Sequence, residues 1–334
     1  MVTMSDVARE AGVSVMTVSN VLSERLPVGA PTRARVLAAV QALGYEVNLT
    51  ARHLRAGRTD TVALIVPSFH DYFGEVADQI APLIEAYGRH LVLERTSASA
   101  QHEMEAVSVA RLHLYDGVLL SVAGLDPVQL GRVRTSKPIV LLGERDVPDH
   151  FDHVRLANEE GARLATAHMI ERGSRRILAL GCTLDQAHLM TSDRRLGWES
   201  AHRQAGLPVD ERYVVPIATY SSEAARTTLL DVIASGLSFD GIFAATDVIA
   251  LGAVAALADR RLRVPDDVQL AGFDNLEVSS FVPPGITSVD PNHRGVAQHA
   301  VGLLHRRMAG DAGPAEHVVA PVSLVVRGST RGAP

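Results

Sequence analysis

At 334 residues the chain is longer than one ordinary hydrophobic core, so two or three domains are expected. A 47% apolar, 21% charged composition without low-complexity runs excludes a disordered chain, and no apolar stretch reads as a membrane span or secretory leader. Cys182 is the sole cysteine, which excludes an intramolecular disulfide and a cysteine-rich zinc centre; these features place the chain in the cytoplasm. The net charge of −6 conceals an asymmetry, because residues 1–60 carry seven Arg against five acids and so hold +2, leaving −8 for the remainder. A mildly basic module is therefore joined to an acidic body.

The first predicted helix starts at Thr3, a hydroxyl cap with a carboxylate, Asp6, three residues on. Val7, Ala8 and Ala11 supply its apolar face. Ala11-Gly12-Val13 is a tight turn, where Gly12 can take a backbone conformation closed to other residues. Ser14 caps a second helix to about Leu22, with Val18, Val21 and Leu22 turned inward. A third helix, about Pro31–Leu43, puts Val36, Leu37, Val40 and Leu43 on one face. Two short helices across a glycine turn make a helix-turn-helix, although this spacing alone also suits a generic three-helix bundle.

The residues settle that choice. Asp6-Val7-Ala8-Arg9-Glu10-Ala11-Gly12-Val13-Ser14-Val15-Met16-Thr17-Val18-Ser19-Asn20-Val21-Leu22 closely resembles the DNA-binding headpiece of the lactose-repressor (LacI/GalR) family. The similarity continues through Thr32–Val40, Leu43-Gly44-Tyr45 and Asn48–Arg55. In such motifs the start of the second helix enters the major groove. The resemblance puts Val15, Met16 and Asn20 at base-reading positions, where Asn suits an adenine edge and Val or Met a thymine methyl. Val15 and Met16 also remain open to an ordinary packing role. Ser14, Thr17 and Ser19 are assigned to caps and phosphate contacts, which position the protein without specifying sequence. Asn48–Arg55 would by itself be a linker, since an isolated helix this short is marginal in water. The resemblance makes it a hinge helix that folds when two copies meet in the minor groove. It implies Asn48 as cap, Ala51 as the surface where the paired helices touch, Arg52 as a phosphate contact and Leu54 as a wedge between base steps. Gly29-Ala30-Pro31 departs from the family's frequent Ser-Pro-Glu start of the third helix.

From Thr61 short apolar runs alternate with amphipathic stretches. Val62–Val66, Leu91–Leu93, Gly117–Leu120 and Ile139–Leu142 form one predicted strand set; Ile177–Leu180, Tyr213–Val215, Gly241–Ala244 and Val268–Phe273 form another. Such alternation implies parallel sheets covered on both faces. The family resemblance extends into Asn158–Gly161, Arg194–Trp198, Ala244–Asp247, Val264–Asp267 and Gly272–Asn275. The expected fold is thus an N-terminal all-α helix-turn-helix headpiece plus an α/β, two-lobed, periplasmic-binding-protein-like effector domain. The expected boundaries are 1–46 for the headpiece, 47–59 for the hinge and 60–331 for the effector-binding and dimerisation domain. Lobe 1 takes about 60–155 and 290–315, and lobe 2 about 156–285 and 316–331.

Ligands of open α/β sheets sit at the carboxyl ends of the strands. The resemblance implies Tyr72 and Phe73 as an aromatic wall there, Arg194 and Asp274 as charged hydrogen-bonding groups from the facing lobe, and Thr246 beside them. A fork donor with an acceptor pair suits a polyhydroxylated or polar ligand. Phe73 equally suits a helix-start anchor, and Trp198 either lines the cleft or belongs to the core. Thr246 stands where the family often has Asn, and Ala157 where it often has Asp, which blocks transfer of any particular sugar. The implied protein is a transcription regulator, repression being the family's usual mode. Its partners are double-stranded, pseudo-palindromic operator DNA, a small-molecule effector and a second copy of itself, without a membrane, metal or cofactor. The ending Arg327–Pro334 lacks the heptad helix of family tetramers, so a homodimer is expected. A solute-binding protein would need a leader where the helix-turn-helix stands. Neither Gly-x-Ser-x-Gly, a phosphate-binding Gly-Lys loop nor His-Glu-x-x-His supports an enzyme.

Overall fold

The computed structural model describes residues 2–23, 26–46, 58–144, 146–185 and 189–332. The chain divides into two compact units, Met1–Thr59 and Asp60–Pro334.

In the first unit, α1 (Met4–Ala11), α2 (Val15–Ser23) and α3 (Ala30–Leu43) enclose a core of small side chains. Thr3 and Asp6 form a reciprocal capping box: the Asp6 amide donates to Thr3 Oγ1 at 3.3 Å, and the Thr3 amide donates to Asp6 Oδ2 at 3.0 Å. Gly12 ends α1 in the left-handed region at φ 63°, which turns the chain at no steric cost. Val7, Ala8, Ala11, Val18, Val21, Val36 and Ala39 are buried, with Leu22, Val40 and Leu43 packed against them. Leu37 departs from expectation and is 46% exposed. It stands about 100° around the helix from Val36, and Ala39 fills the inward position instead. Gly29 provides no side-chain cap for α3, whose first turn holds Pro31 in its place.

The second unit contains two six-stranded sheets. The first runs in the order β11-β5-β4-β3-β1-β2 and the second β12-β10-β9-β8-β6-β7. Their members are β1 (Thr61–Val66), β2 (His90–Arg95), β3 (Gly117–Ser121), β4 (Ile139–Leu142), β5 (Asp152–Leu156), β6 (Ile177–Leu180), β7 (Val214–Val215), β8 (Gly241–Ala244), β9 (Gln269–Phe273), β10 (Thr287–Asp290), β11 (His317–Ala320) and β12 (Ser323–Val325). All pairings are parallel except β10 with β12. The interior strands β1, β3, β4, β6, β8 and β9 are buried almost throughout, as parallel strands covered on both faces must be. Among the described residues no helix is long and apolar enough to cross a membrane.

The chain passes between the sheets three times, at 157–176, 291–316 and 321–322. The last passage corrects the expected lobe boundary at 316. Strand β11 pairs with β5 in the first sheet, and only β12 returns to the second. Likewise β10 extends the second sheet to Asp290, beyond the expected 285.

Candidate functional site

In the first unit, Ser14 Oγ accepts the Thr17 amide at 3.1 Å and lies 2.9 Å from Thr17 Oγ1, so both hydroxyls serve the start of α2. That start projects Val15, 43% exposed, and Met16, 70% exposed. Among the described residues Val18 and Val21 belong to the core cluster of this unit, and Val15 and Met16 do not. Ser19 and Asn20 lie half-buried on the same helix. Asn48, Ala51, Arg52 and Leu54 lie outside the described residues.

In the second unit a cavity of about 610 Å³ opens between the two sheets. It lies at the carboxyl ends of β1, β3 and β4 on one side and of β8 and β9 on the other, where an open α/β sheet leaves its loops free to hold a ligand. Tyr72, Phe73, Arg194, Thr246 and Asp274 all line it, together with Val66, Leu142, Leu156 and Val248 from its apolar walls. Tyr72 and Phe73 begin the helix Tyr72–Ala86 and meet edge to face at 5.2 Å. Thr246 caps the helix Asp247–Asp259 by accepting the Ile249 amide at 3.3 Å. Trp198 resolves as a core residue, 1% exposed, its indole N–H donating to Ile177 O at 3.0 Å.

Arg194 sits 2% exposed on the helix Met190–Gln204 and is largely bound by the protein itself. Its Nε donates to Asn158 Oδ1 at 2.7 Å, one terminal nitrogen donates to Ala245 O, and the other lies 3.5 Å from Asp274 Oδ1. The guanidinium also stacks 3.4 Å above the Phe273 ring. Burial raises the Asp274 carboxyl to about 8, although Arg194 pulls it down. Burial, with Glu144 and Asp274 nearby, also lifts the Tyr72 phenol above its ordinary range and keeps it neutral.

Three further positions at the cavity received no role of their own in the sequence reading, although Asn158 and Asp247 stood within its family motifs. Glu144 lines the cavity after β4, and burial raises its carboxyl to about 7. Asn158 holds Arg194 in place and was visible only as part of a family motif. Asp247, 0% exposed, fastens the loop that carries Asp274. It accepts the Leu276 amide and Ser279 hydroxyl at 2.8 Å each and the Ser288 hydroxyl at 2.6 Å. A Cβ at residue 272 would stand 2.1 Å from Asp247 Oδ1, so glycine is required at Gly272 for the carboxylate to reach in. These roles depend on residues up to 41 positions away, and no local spacing announces them. His168, by contrast, is structural: its Nε2 lies 2.9 Å from Thr330 Oγ1 in a buried pair.

A family model for bacterial regulatory proteins of the lacI family matches residues 3–48, and one for a periplasmic binding protein-like domain matches residues 166–330. Catabolite control protein A of Priestia megaterium is 28% identical over 99% of both chains. A solved structure described as a LacI-family transcriptional regulator from Sanguibacter keddieii is 33% identical, covering 83% of this chain and 100% of its own, with a TM-score of 0.77. The lac repressor dimer bound to operator and the anti-inducer ONPF is 26% identical over 99% of each chain, with a TM-score of 0.82. The complex of the transcriptional regulator CelR with cellobiose is 28% identical, covering 98% of this chain and 100% of its own, with a TM-score of 0.72. These relatives are transcription regulators rather than enzymes, and the catabolite control protein, the lac repressor and CelR each align over nearly the whole chain. The chain belongs to the LacI family of bacterial regulatory proteins.

Proposed function

We propose that this chain is a cytoplasmic repressor that acts as a homodimer on a pseudo-palindromic operator, with its affinity set by a small polar molecule held between the two sheets. The observation that carries this reading is the cavity itself. It gathers an aromatic pair, a buried Arg–Asp pair and apolar walls from both sheets into a volume suited to a small metabolite. A ligand touching both walls binds one arrangement of the sheets better than another, and that difference is what an effector needs. The exposed Val15 and Met16 at the head of α2 favour the same reading, because apolar side chains open to solvent there suit a groove that presents thymine methyls. Two copies would read two half-sites related by a two-fold axis. The hinge residues 48–55, drawn from the family resemblance, would carry the sheet movement to the DNA. A lac repressor crystallised as a dimer with operator and a small anti-inducer supplies the precedent.

The test is selection of randomised duplex DNA by the purified full chain at moderate salt, with and without a pool of sugars and nucleobases. An inverted repeat with a kinkable central step is expected, and its recovery should change with one component of the pool. Recovery of a single unpaired site, or of no site under either condition, rejects the proposal.

A further inference from the structure

We infer that the second unit carries a phosphate-binding groove, separate from the cavity between the sheets, in which Lys137 and Arg134 supply the charge. The groove has a volume of about 490 Å³ and lies at the amino ends of β4 and β5, opposite the carboxyl ends that open into the cavity. Because β5, β4, β3 and β1 are neighbouring parallel strands, the start of β1 lies at the same end of the sheet. Residues 1–59 join the unit there, two strand spacings from β4, or roughly 10 Å.

Three permanent cations line the groove, Arg134, Lys137 and Arg307, against one acid, Asp152. That excess runs against the net negative charge of the sequence beyond residue 60. The acid is not free to repel an anion. Arg307 grips both Asp152 oxygens, at 2.7 Å and 2.9 Å, and the Glu316 amide donates to Oδ1 at 2.8 Å. Arg307 spends its other N–H donors on the carbonyls of Asp311, Gly313 and Pro314, so the pair forms a neutral, fixed floor.

Arg134 and Lys137 are not spent in this way. They bound the segment Arg134-Thr135-Ser136-Lys137 that leads into β4. The Lys137 amide fixes it by donating to Thr135 Oγ1 at 2.8 Å. One terminal nitrogen of Arg134 donates to Gly131 O at 2.6 Å and Val133 O at 3.1 Å. Its Nε and second terminal nitrogen donate to no described residue. The half-buried Lys137 ammonium makes neither a hydrogen bond nor an ion pair among the described residues. The Ser136 hydroxyl stands between them in the chain and lines the same groove. A carboxylate offers two oxygens and one charge, and would leave one cation uncompensated. A phosphate monoester or pyrophosphate brings close to two charges and enough oxygens for a guanidinium edge, an ammonium and a hydroxyl. A DNA strand supplies the same charges on successive phosphodiesters.

Lys137 is the only lysine of the chain, so amine acylation followed by peptide mass analysis reads this groove directly. The full chain is acylated in sodium pyrophosphate, in sodium acetate or sodium chloride of equal ionic strength, and with random-sequence duplex DNA. Millimolar pyrophosphate is expected to slow labelling of Lys137 several-fold, and acetate and chloride far less. Duplex DNA that slows it at a lower total phosphate concentration than pyrophosphate identifies the nucleic-acid backbone as the source. Pyrophosphate acting at the lower concentration identifies a small phosphorylated molecule. Arg134→Gln keeps the stem and a donor for the turn but removes the charge. It should lose the protection by either source, and an unchanged melting temperature verifies its fold. No slowing by either phosphate source, equal slowing by chloride, or undiminished protection in Arg134→Gln overturns the inference.

Discussion

Under the proposed reading Asn20 and Arg52 make two different kinds of DNA contact. An Asn that bonds a base edge specifies, whereas an Arg on a phosphate only attracts. Asn20→Ala is therefore expected to relax base preference in each half-site by about 1–3 kcal/mol, seen as a broadened motif in repeated selection. Arg52→Ala is expected to weaken all sequences alike and reduce the salt slope by about 1, measured by titration across salt concentrations; an unchanged slope refutes the phosphate assignment. In the cavity, Asp274 at about 8 and Glu144 at about 7 hold protons that the unfolded chain releases near pH 4. Their contribution to stability is complete in acid and is lost as pH rises through those values. The buried His153, His168 and His202 and the half-buried His293 are shifted down by desolvation, so their contribution is present above about 6.5 and lost below it. From about pH 6.5 to 8 the carboxyl effect prevails, and the melting temperature of the effector-free chain should fall. Asp274→Asn should flatten that decline; an equal slope in wild type and variant counts against the raised value.

At the scale of elements, local chemistry and tertiary demand part company. Helix α2 begins where Ser14 can accept the Thr17 amide, a signal carried entirely by neighbouring residues. Ser14→Ala should cost about 1 kcal/mol and reduce amide-exchange protection in α2 while leaving the second unit unchanged. Protection as strong as wild type would mean that packing alone holds the helix. The interior strands were equally legible, being short apolar runs that only a doubly covered sheet can bury. Strand β5 was not. Its Asp152-His153-Val154-Arg155-Leu156 reads as polar, yet Asp152 and His153 are buried because distant groups satisfy them. Arg307 donates to Asp152 at 2.7 Å and 2.9 Å, and His153 Nε2 lies 2.7 Å from Gly143 O. Strands β11 and β12 are short edge strands whose partners lie far back in the chain, so their pattern alone could not assign them to a sheet.

For the molecule as a whole, each unit has its own core. Among the described residues the first closes around seven buried side chains, all Ala or Val, whereas the second buries whole strands beneath its covering helices. Small cores are marginal because they remove little apolar surface from water. Calorimetry of the full chain is expected to show a lower transition for Met1–Thr59 and a higher one for Asp60–Pro334. A ligand of the cavity at a hundred times its Kd adds about 2.7 kcal/mol to whatever unfolds with it, so it should raise the upper transition alone. Operator DNA should raise the lower one. A single transition moved equally by both would show that the units unfold together.

The sequence by itself determined the headpiece, its capping signals, the alternating parallel architecture and the five residues expected at the cavity. The caps and the strand alternation depend on local hydrogen bonds and on periodicity, whereas the headpiece and the five cavity residues were legible only through the family resemblance. Only the tertiary structure decided which sheet receives each late strand, that Arg194 is largely occupied by the protein, and that Glu144 lines the cavity with its carboxyl raised by burial. Each of those depends on groups brought together from separate crossings of the chain. Whether a charge is spent or free is a property of its neighbours in space, which residue order does not display.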